Sequence, residues 1–299
     1  MLIVNKILIA RDFSDASARV LRHGLALAAQ MKAQLHVLHV TDRTDRPYSA
    51  RDLPAVRDEL RVAGVATEEA LRRVPIVGVS QKDGGVVDTI HQYAETEDID
   101  LIALGTHGRE GAGRLWRGSV AEVVIRGAKR PVLTVRGDGD GQTVGPGQIE
   151  RILVPIDVAE YVPETGKVAV EWARLYDAQV DLLHVVTGSS PPAPDQTDDA
   201  GEPEEGPEQR ARRALMDIGR TMSALGVPME VHVRTGTPGP TITNFMEARG
   251  THLVVMSTHG RTGMERFFLG SVAEAVIRHG GCPVLTVRAS GRSIRALNT

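Results

Sequence analysis

Residues 101–136 read LIALGTHGREGAGRLWRGSVAEVVIRGAKRPVLTVR, and residues 253–288 read LVVMSTHGRTGMERFFLGSVAEAVIRHGGCPVLTVR. THGR, then GSVAE, then PVLTVR recur in the same order at the same spacing. The front halves answer each other as well. KILIARD at 6–12 matches RILVPID at 151–157, and Val37-Leu38-His39-Val40 matches Leu182-Leu183-His184-Val185. The chain is therefore two homologous units, and shared chemistry should lie at the repeated polar positions. Units this long can each bury a core alone, so they form a tandem domain pair rather than a solenoid. We place domain one at 1–137, a linker at 138–150, domain two at 151–289 and a tail at 290–299.

Composition narrows the function classes. Hydrophobic content of 41% supports packed cores, and aromatics at 3% make those cores aliphatic. So few aromatics, with a net charge of −3, argue against a nucleic-acid surface, which needs stacking platforms and basic patches. The single cysteine, Cys282, cannot form an intrachain disulfide, and no Cys/His cluster offers a metal site. The apolar N-terminus is interrupted by Asn5 and Lys6 and is too short to span a bilayer. The expected location is the cytoplasm, with no membrane partner.

Strand and helix patterns alternate along unit one. Lys6–Ala10, Gln34–Val40, Ile76–Val79, Leu101–Leu104 and Val132–Val135 read as strands. Between them lie a helix capped by Ser14 and running to Met31, a second over Leu53–Val74 weakened by Gly64, a third over Val86–Glu97 and a fourth over Ser119–Gly127. This alternation implies an α/β fold, with a parallel sheet covered on both faces by helices. Residues 137–147 form a Gly/Asp-rich linker. Unit two repeats the plan from Arg151. Its departure is 188–207, rich in Pro, Asp and Glu and read as an acidic surface loop before a helix over Glu208–Leu225.

The chemistry concentrates at Gly105-x2-Gly108-x9-Gly118-Ser119. Gly105 sits where the fourth strand ends, and doubly wound sheets bind ligands outside the carboxyl ends of their strands. Glycines there let backbone N–H groups approach a phosphate. Gly118-Ser119 opens a helix, whose N-terminus favours an anion by about 0.3–1 kcal/mol. Asp12 closes the first strand on the same edge, where a carboxylate suits a ribose hydroxyl or an adenine amino group and would repel phosphate. Competing readings are structural. The glycines could serve turns alone, and Ser119 could be an N-cap completed by Glu122 as a capping box. His107 and His259 fit backbone bonding or packing, and His39 and His184 fit satisfied core histidines. Arg109 and Arg261 fit either a phosphate clamp or a solvated loop. Trp116 and Phe268 fit anchors for the glycine loop, and Cys282 a small apolar residue.

Asp12-Phe13-Ser14 after a first strand, then Leu-His-Val, the glycine spacing and Pro-Val-Leu-Thr-Val-Arg resemble the universal stress protein family in its tandem form. The resemblance covers nearly the whole chain apart from linker, acidic loop and tail. It implies two homologous doubly wound domains, each a five-stranded parallel sheet of order 3-2-1-4-5 flanked by helices. It implies ATP, alone or with Mg, as the bound cofactor. The implied contacts in unit one are Asp12, Val40, Gly105, Gly108, Gly118, Ser119 and Val120. In unit two they are Asp157, Val185, Gly260, Gly270, Ser271 and Val272. Unit two departs from the pattern twice. Val158 and Ala159 replace Phe13 and Ser14, which weakens the cap of its first helix. Ser257 replaces Gly105, and its Cβ is expected to crowd the ribose-phosphate.

The expected function is an adenine-nucleotide-binding, stress-response or regulatory protein that binds ATP without efficient turnover. Alternatives are a slow ATP hydrolase and a nucleotide-free interaction module. Neither a Walker motif nor a dinucleotide fingerprint is present. The fifth strands, Val132–Arg136 and Val284–Arg288, are identical. Two like, β-rich edges pair most simply antiparallel about a pseudo-two-fold axis. An intramolecular pseudo-dimer is expected, which a second chain could extend to a homodimer.

Overall fold

The structure, a computed structural model, describes residues 2–41, 53–62, 67–82, 85–106, 119–136, 149–188, 205–258, 269–288 and 295–296. Most of the linker and of the acidic loop lie outside the described residues. So do His107, Gly108, Arg109, Trp116, Gly118, His259, Gly260, Arg261 and Phe268.

Unit one runs β1 (Leu2–Ile3), β2 (Lys6–Ala10), α1 (Asp15–Met31), β3 (Gln34–Thr41), α2 (Leu53–Val62), α3 (Glu68–Arg73), β4 (Ile76–Lys82), α4 (Val86–Thr96), β5 (Leu101–Thr106), α5 (Val120–Gly127) and β6 (Val132–Arg136). Unit two follows with β7 (Arg151–Pro155), α6 (Pro163–Tyr176), β8 (Gln179–Val186), α7 (Pro207–Ser223), β9 (Met229–Thr235), α8 (Pro238–Arg249), β10 (Leu253–Ser257), α9 (Ser271–His279), β11 (Val284–Val287) and β12 (Arg295–Ala296). The expected helix over Leu53–Val74 is two helices. Thr67 starts the second, its Oγ1 accepting from Ala70 N at 3.2 Å ahead of the favourable first-turn acids Glu68 and Glu69.

Ten strands form one sheet in the order β4-β3-β2-β5-β6-β11-β10-β7-β8-β9. Within each unit neighbouring strands are parallel, and unit one has the order 3-2-1-4-5 counted from β2. The two units meet where β6 pairs antiparallel with β11, Leu133 facing Leu285. The junction is reciprocal. Thr134 Oγ1 donates to Val284 O and Thr286 Oγ1 to Val132 O, both at 3.1 Å. Arg136 reaches Gly280 O, and its repeat partner Arg288 reaches Ala128 O. Each fifth strand thus hides the other's open edge. Outside this sheet, β1 pairs antiparallel with β12, tying Leu2–Ile3 to Arg295–Ala296.

Aliphatic side chains fill both faces, as the scarcity of aromatics requires. One core, with Ile7, Ile9, Leu35, Val154 and Leu182, lies under α1, α6 and α7. The other, with Leu8, Ile102, Leu153 and Val254, lies under α4, α5, α8 and α9. Each fully buried side chain of this size contributes roughly 1.5–3 kcal/mol. The carboxyl ends of β2, β3 and β5, and of β7, β8 and β10, are left to carry the sites.

Candidate functional site

At the end of β2, Asp12 Oδ1 accepts from Ser14 N at 3.0 Å and from Ser14 Oγ at 2.6 Å. Burial would raise the Asp12 value, yet the hydrogen bonds from Ser14 and Ser17 hold it below the ordinary 3.8. Phe13 sits at φ 63°, a strained conformation for a bulky side chain. Its ring meets His39 edge-on at 4.7 Å between centroids, and the Arg11 guanidinium lies 4.7 Å from it. Ser14 then caps α1, accepting from Ser17 N.

Unit two builds the same corner differently. Asp157 Oδ1 accepts from Ala159 N at 3.0 Å, so the carboxylate again pins the turn. Val158 does not take the positive φ of Phe13, as expected of a β-branched residue. The helix starts at Pro163, six residues after Asp157, whereas α1 starts at Asp15, three after Asp12. Ala159 stands where unit one has its capping Ser14, Val162 at the N-cap offers no side-chain bond, and Pro163 supplies the helix start instead.

This difference gives Gly105 and Ser257 a physical reason other than ligand crowding. A Cβ on Gly105 would stand 2.9 Å from the Ala16 carbonyl carbon and 3.0 Å from Ala16 Cβ. Gly105 is therefore needed for the close approach of the first turn of α1. In unit two that turn is missing and Ser257 is accommodated, lining the crevice.

The expected unit-two residues converge. Asp157, Val185, Gly270, Ser271 and Val272 all line one crevice of about 690 Å³ across the ends of β7, β8 and β10. That volume suits a small-molecule site. Gly270 caps α9 and its N–H reaches Thr258 O at 3.2 Å. The next N–H groups of a helix's first turn have no partner within the helix and carry the positive end of its dipole. In unit one Ser119 caps α5, its Oγ accepting from Glu122 N at 3.2 Å, which leaves the hydroxyl proton for another acceptor. Val120 opens that helix exposed, and Val40 is half-buried at the end of β3. The Glu122 carboxylate is buried and pairs with Arg126.

Both strand histidines are satisfied in the same way. His39 Nδ1 lies 2.8 Å from Arg11 O, and His184 Nδ1 lies 2.9 Å from Ile156 O. A carbonyl can only accept, so Nδ1 carries the proton and Nε2 is the acceptor of the neutral ring. His184 lines the crevice together with Tyr161, Val162, Thr165 and Arg210, which the sequence reading did not place there. The available signal was Val158 with Pro163, which together displace the helix start. Cys282, partly exposed, packs against the second core, and burial pushes its thiol up to about 12, which disfavours the thiolate near neutral pH.

A polar cluster lies at the opposite end of the sheet. Fully buried Asp181 accepts from Arg151 at 3.1 Å and from Arg249 at 3.2 Å, with His232 Nε2 at 3.3 Å and Glu230 beside Arg249. Asp181, Glu230 and His232 have ligand atoms close enough for a metal. Two guanidinium groups already occupy the carboxylate, so the cluster is a salt-bridge node and a poor cation site. Among the described residues no helix is long and apolar enough to cross a membrane.

The sequence model of the universal stress protein family matches residues 4–136 and again 148–288. A universal stress protein of Methanocaldococcus jannaschii is 32% identical over 152 residues, 48% of this chain and 85% of that protein. A universal stress protein E homolog of Haemophilus influenzae is 28% identical over 211 residues, covering 68% of this chain and 66% of its own. A universal stress protein structure from Archaeoglobus fulgidus matches with a TM-score of 0.62 at 21% identity, covering 95% of this chain and 96% of that one, a likeness of fold. The chain belongs to the universal stress protein family, with two such domains in tandem.

Proposed function

We propose that this protein binds an adenine nucleotide, ATP with or without Mg, at the carboxyl ends of its strands. It acts as a cytoplasmic stress-response or regulatory protein through binding rather than turnover. The observation that carries the reading is the convergence of Asp157, Val185, Gly270, Ser271 and Val272 on one crevice. The N-terminus of α9 suits the phosphates, Asp157 the ribose or adenine donors, and Val185 the adenine ring. Unit one offers the counterparts Asp12, Val40, Gly105, Ser119 and Val120 at the same strand and helix ends, with Gly108 and Gly118 between them in sequence. Efficient hydrolysis would need a base beside the phosphates. Glu122, the acid nearest Ser119 in the helix, is already paired with Arg126.

Two measurements test the reading. Mass spectrometry of the protein purified under native conditions should detect co-purified adenine nucleotide. Calorimetric titration should show ATP binding that is lost in a Ser119→Asp/Ser271→Glu double variant. Asp keeps a capping acceptor at the N-cap of α5 and Glu stands in the first turn of α9, where an acid favours the helix dipole, so these changes preserve folding while repelling phosphate. A folded double variant with the affinity of the parent protein would end this proposal.

A further inference from the structure

The crevice of unit two reaches further than the nucleotide contacts require. Its walls include Ile242, Met256 and Ala273 from the core under α8 and α9, and Ile156, Val186 and Ala211 from the core under α6 and α7. It therefore crosses the strand ends from one face of the sheet to the other. In unit one Phe13, half-exposed, stacks on His39 and Arg11 at the corresponding corner, and the first turn of α1 brings Ala16 against Gly105. Unit two has Val158 for Phe13, Ile156 for Arg11 and no helical turn before Pro163.

We infer that this opening is a second, mainly apolar compartment that accepts an aromatic group carried on the ribose of the bound nucleotide. Val162, Val186, Ala211 and Ala214 line it, and the two alanines keep α7 clear of bulk. Two polar groups stand among them. Thr165 is buried, and its hydroxyl has no hydrogen-bond partner among the described residues. His184 presents Nε2 as an acceptor because its Nδ1 is held by Ile156 O. An apolar ring with one or two hydrogen-bonding atoms matches this lining, since a group without them would leave the Thr165 hydroxyl unsatisfied. Asp157, the proposed ribose contact, lines the same crevice as these residues, so a substituent on the ribose hydroxyls is the part of the nucleotide placed to meet them. The inference rests on the nucleotide reading and specifies which nucleotides unit two prefers.

The test uses the full chain and two probes, ATP and 2′/3′-O-(N-methylanthraniloyl)-ATP, whose aromatic amide is fluorescent. The parent protein should bind the fluorescent analogue about tenfold more tightly than ATP, with increased emission from the desolvated ring. Ala214→Phe and Val158→Phe, which each add a ring to the lining, should each remove that preference and leave ATP affinity within about twofold. Val158 lies on a loop ahead of α6, so its variant serves if the α7 change disturbs folding. Equal affinity of the parent protein for the two probes would overturn the compartment, as would an unchanged preference in both folded variants. Failure of the parent protein to bind either probe would overturn the nucleotide reading itself, and with it the inference.

Discussion

Two copies of one plan end their first strand with the same aspartate and then diverge. In unit one the chain turns through a strained Phe13, enters α1 at Asp15 and presses Ala16 onto Gly105. In unit two it passes through Val158, delays its helix to Pro163 and leaves a crevice lined from both faces of the sheet. One missing helical turn, set by a β-branched residue and a proline, thus decides whether the start of that helix closes onto the end of the fourth strand. The opposite end of the sheet differs as sharply. His36 of unit one bonds Tyr93 at 2.8 Å and Gln34 at 3.0 Å, an uncharged arrangement. Asp181, at the repeat-equivalent place, is buried between Arg151 and Arg249.

The largest effect should come from breaking that last contrast. Asp181→Ala leaves two guanidinium groups facing a buried gap and should cost about 3–5 kcal/mol. His36→Ala removes a neutral partner and should cost only about 1–3 kcal/mol. Denaturant unfolding of the two variants checks the order, and equal losses would mean the node is no more than a neutral hydrogen-bond set.

Exchanging the strand-end residues should come next. Gly105→Ser forces a Cβ against Ala16 and should destabilise unit one by about 1–3 kcal/mol. Ser257→Gly, where no such turn presses, should change stability by less than about 1 kcal/mol, the backbone-entropy cost of glycine. Thermal unfolding separates them. A harmless Gly105→Ser would show that the helix start in unit one can yield as it does in unit two.

Acid should then weaken the units in sequence. Burial holds His23 and His36 of unit one, and His252 of unit two, below the ordinary 6.5. The unfolded chain takes up those protons first, so the stability is full above 6.5 and declines as pH falls below it. Burial alone would raise Asp181, but Arg249 and Arg151 hold it below 3.8, so its contribution is full above 3.8 and is lost only as pH falls further. Between those values two histidines act on unit one and one on unit two. Segment-resolved hydrogen exchange at about pH 7 and about pH 5 should show β3 losing protection before β8. The reverse order would contradict the assignment.

The smallest effect concerns Cys282, which stands where unit one has Arg130, a residue paired with Asp98 at 3.0 Å. With its thiol pushed up to about 12, Cys282 should react only slowly with a disulfide reagent near pH 8 in the native protein and fast after unfolding. Rapid labelling of the native protein would show that this part of unit two opens readily.

The sequence by itself determined the two-unit plan, the strand order implied by the family resemblance and the convergence of Asp157, Val185 and the Gly270–Val272 segment. The two-unit plan follows from a repeated polar pattern and hydrophobic periodicity, all written in order along the chain, whereas the strand order and the full contact set came with the family resemblance. It also pointed to the antiparallel meeting of β6 and β11, because two identical, β-rich edges have one simple way to cover each other. Only the tertiary structure decided why Gly105 is glycine, since the reason is Ala16, distant in the chain and brought close by the packing of α1 on β5. The split of the expected helix into α2 and α3 arises from competition between capping at Thr67 and packing, whereas the delay of α6 to Pro163 was written in Val158 and Pro163 themselves. The opening beside His184 and Thr165 belongs to the same class: an empty volume is a property of walls from several elements, and it exists only once they are assembled.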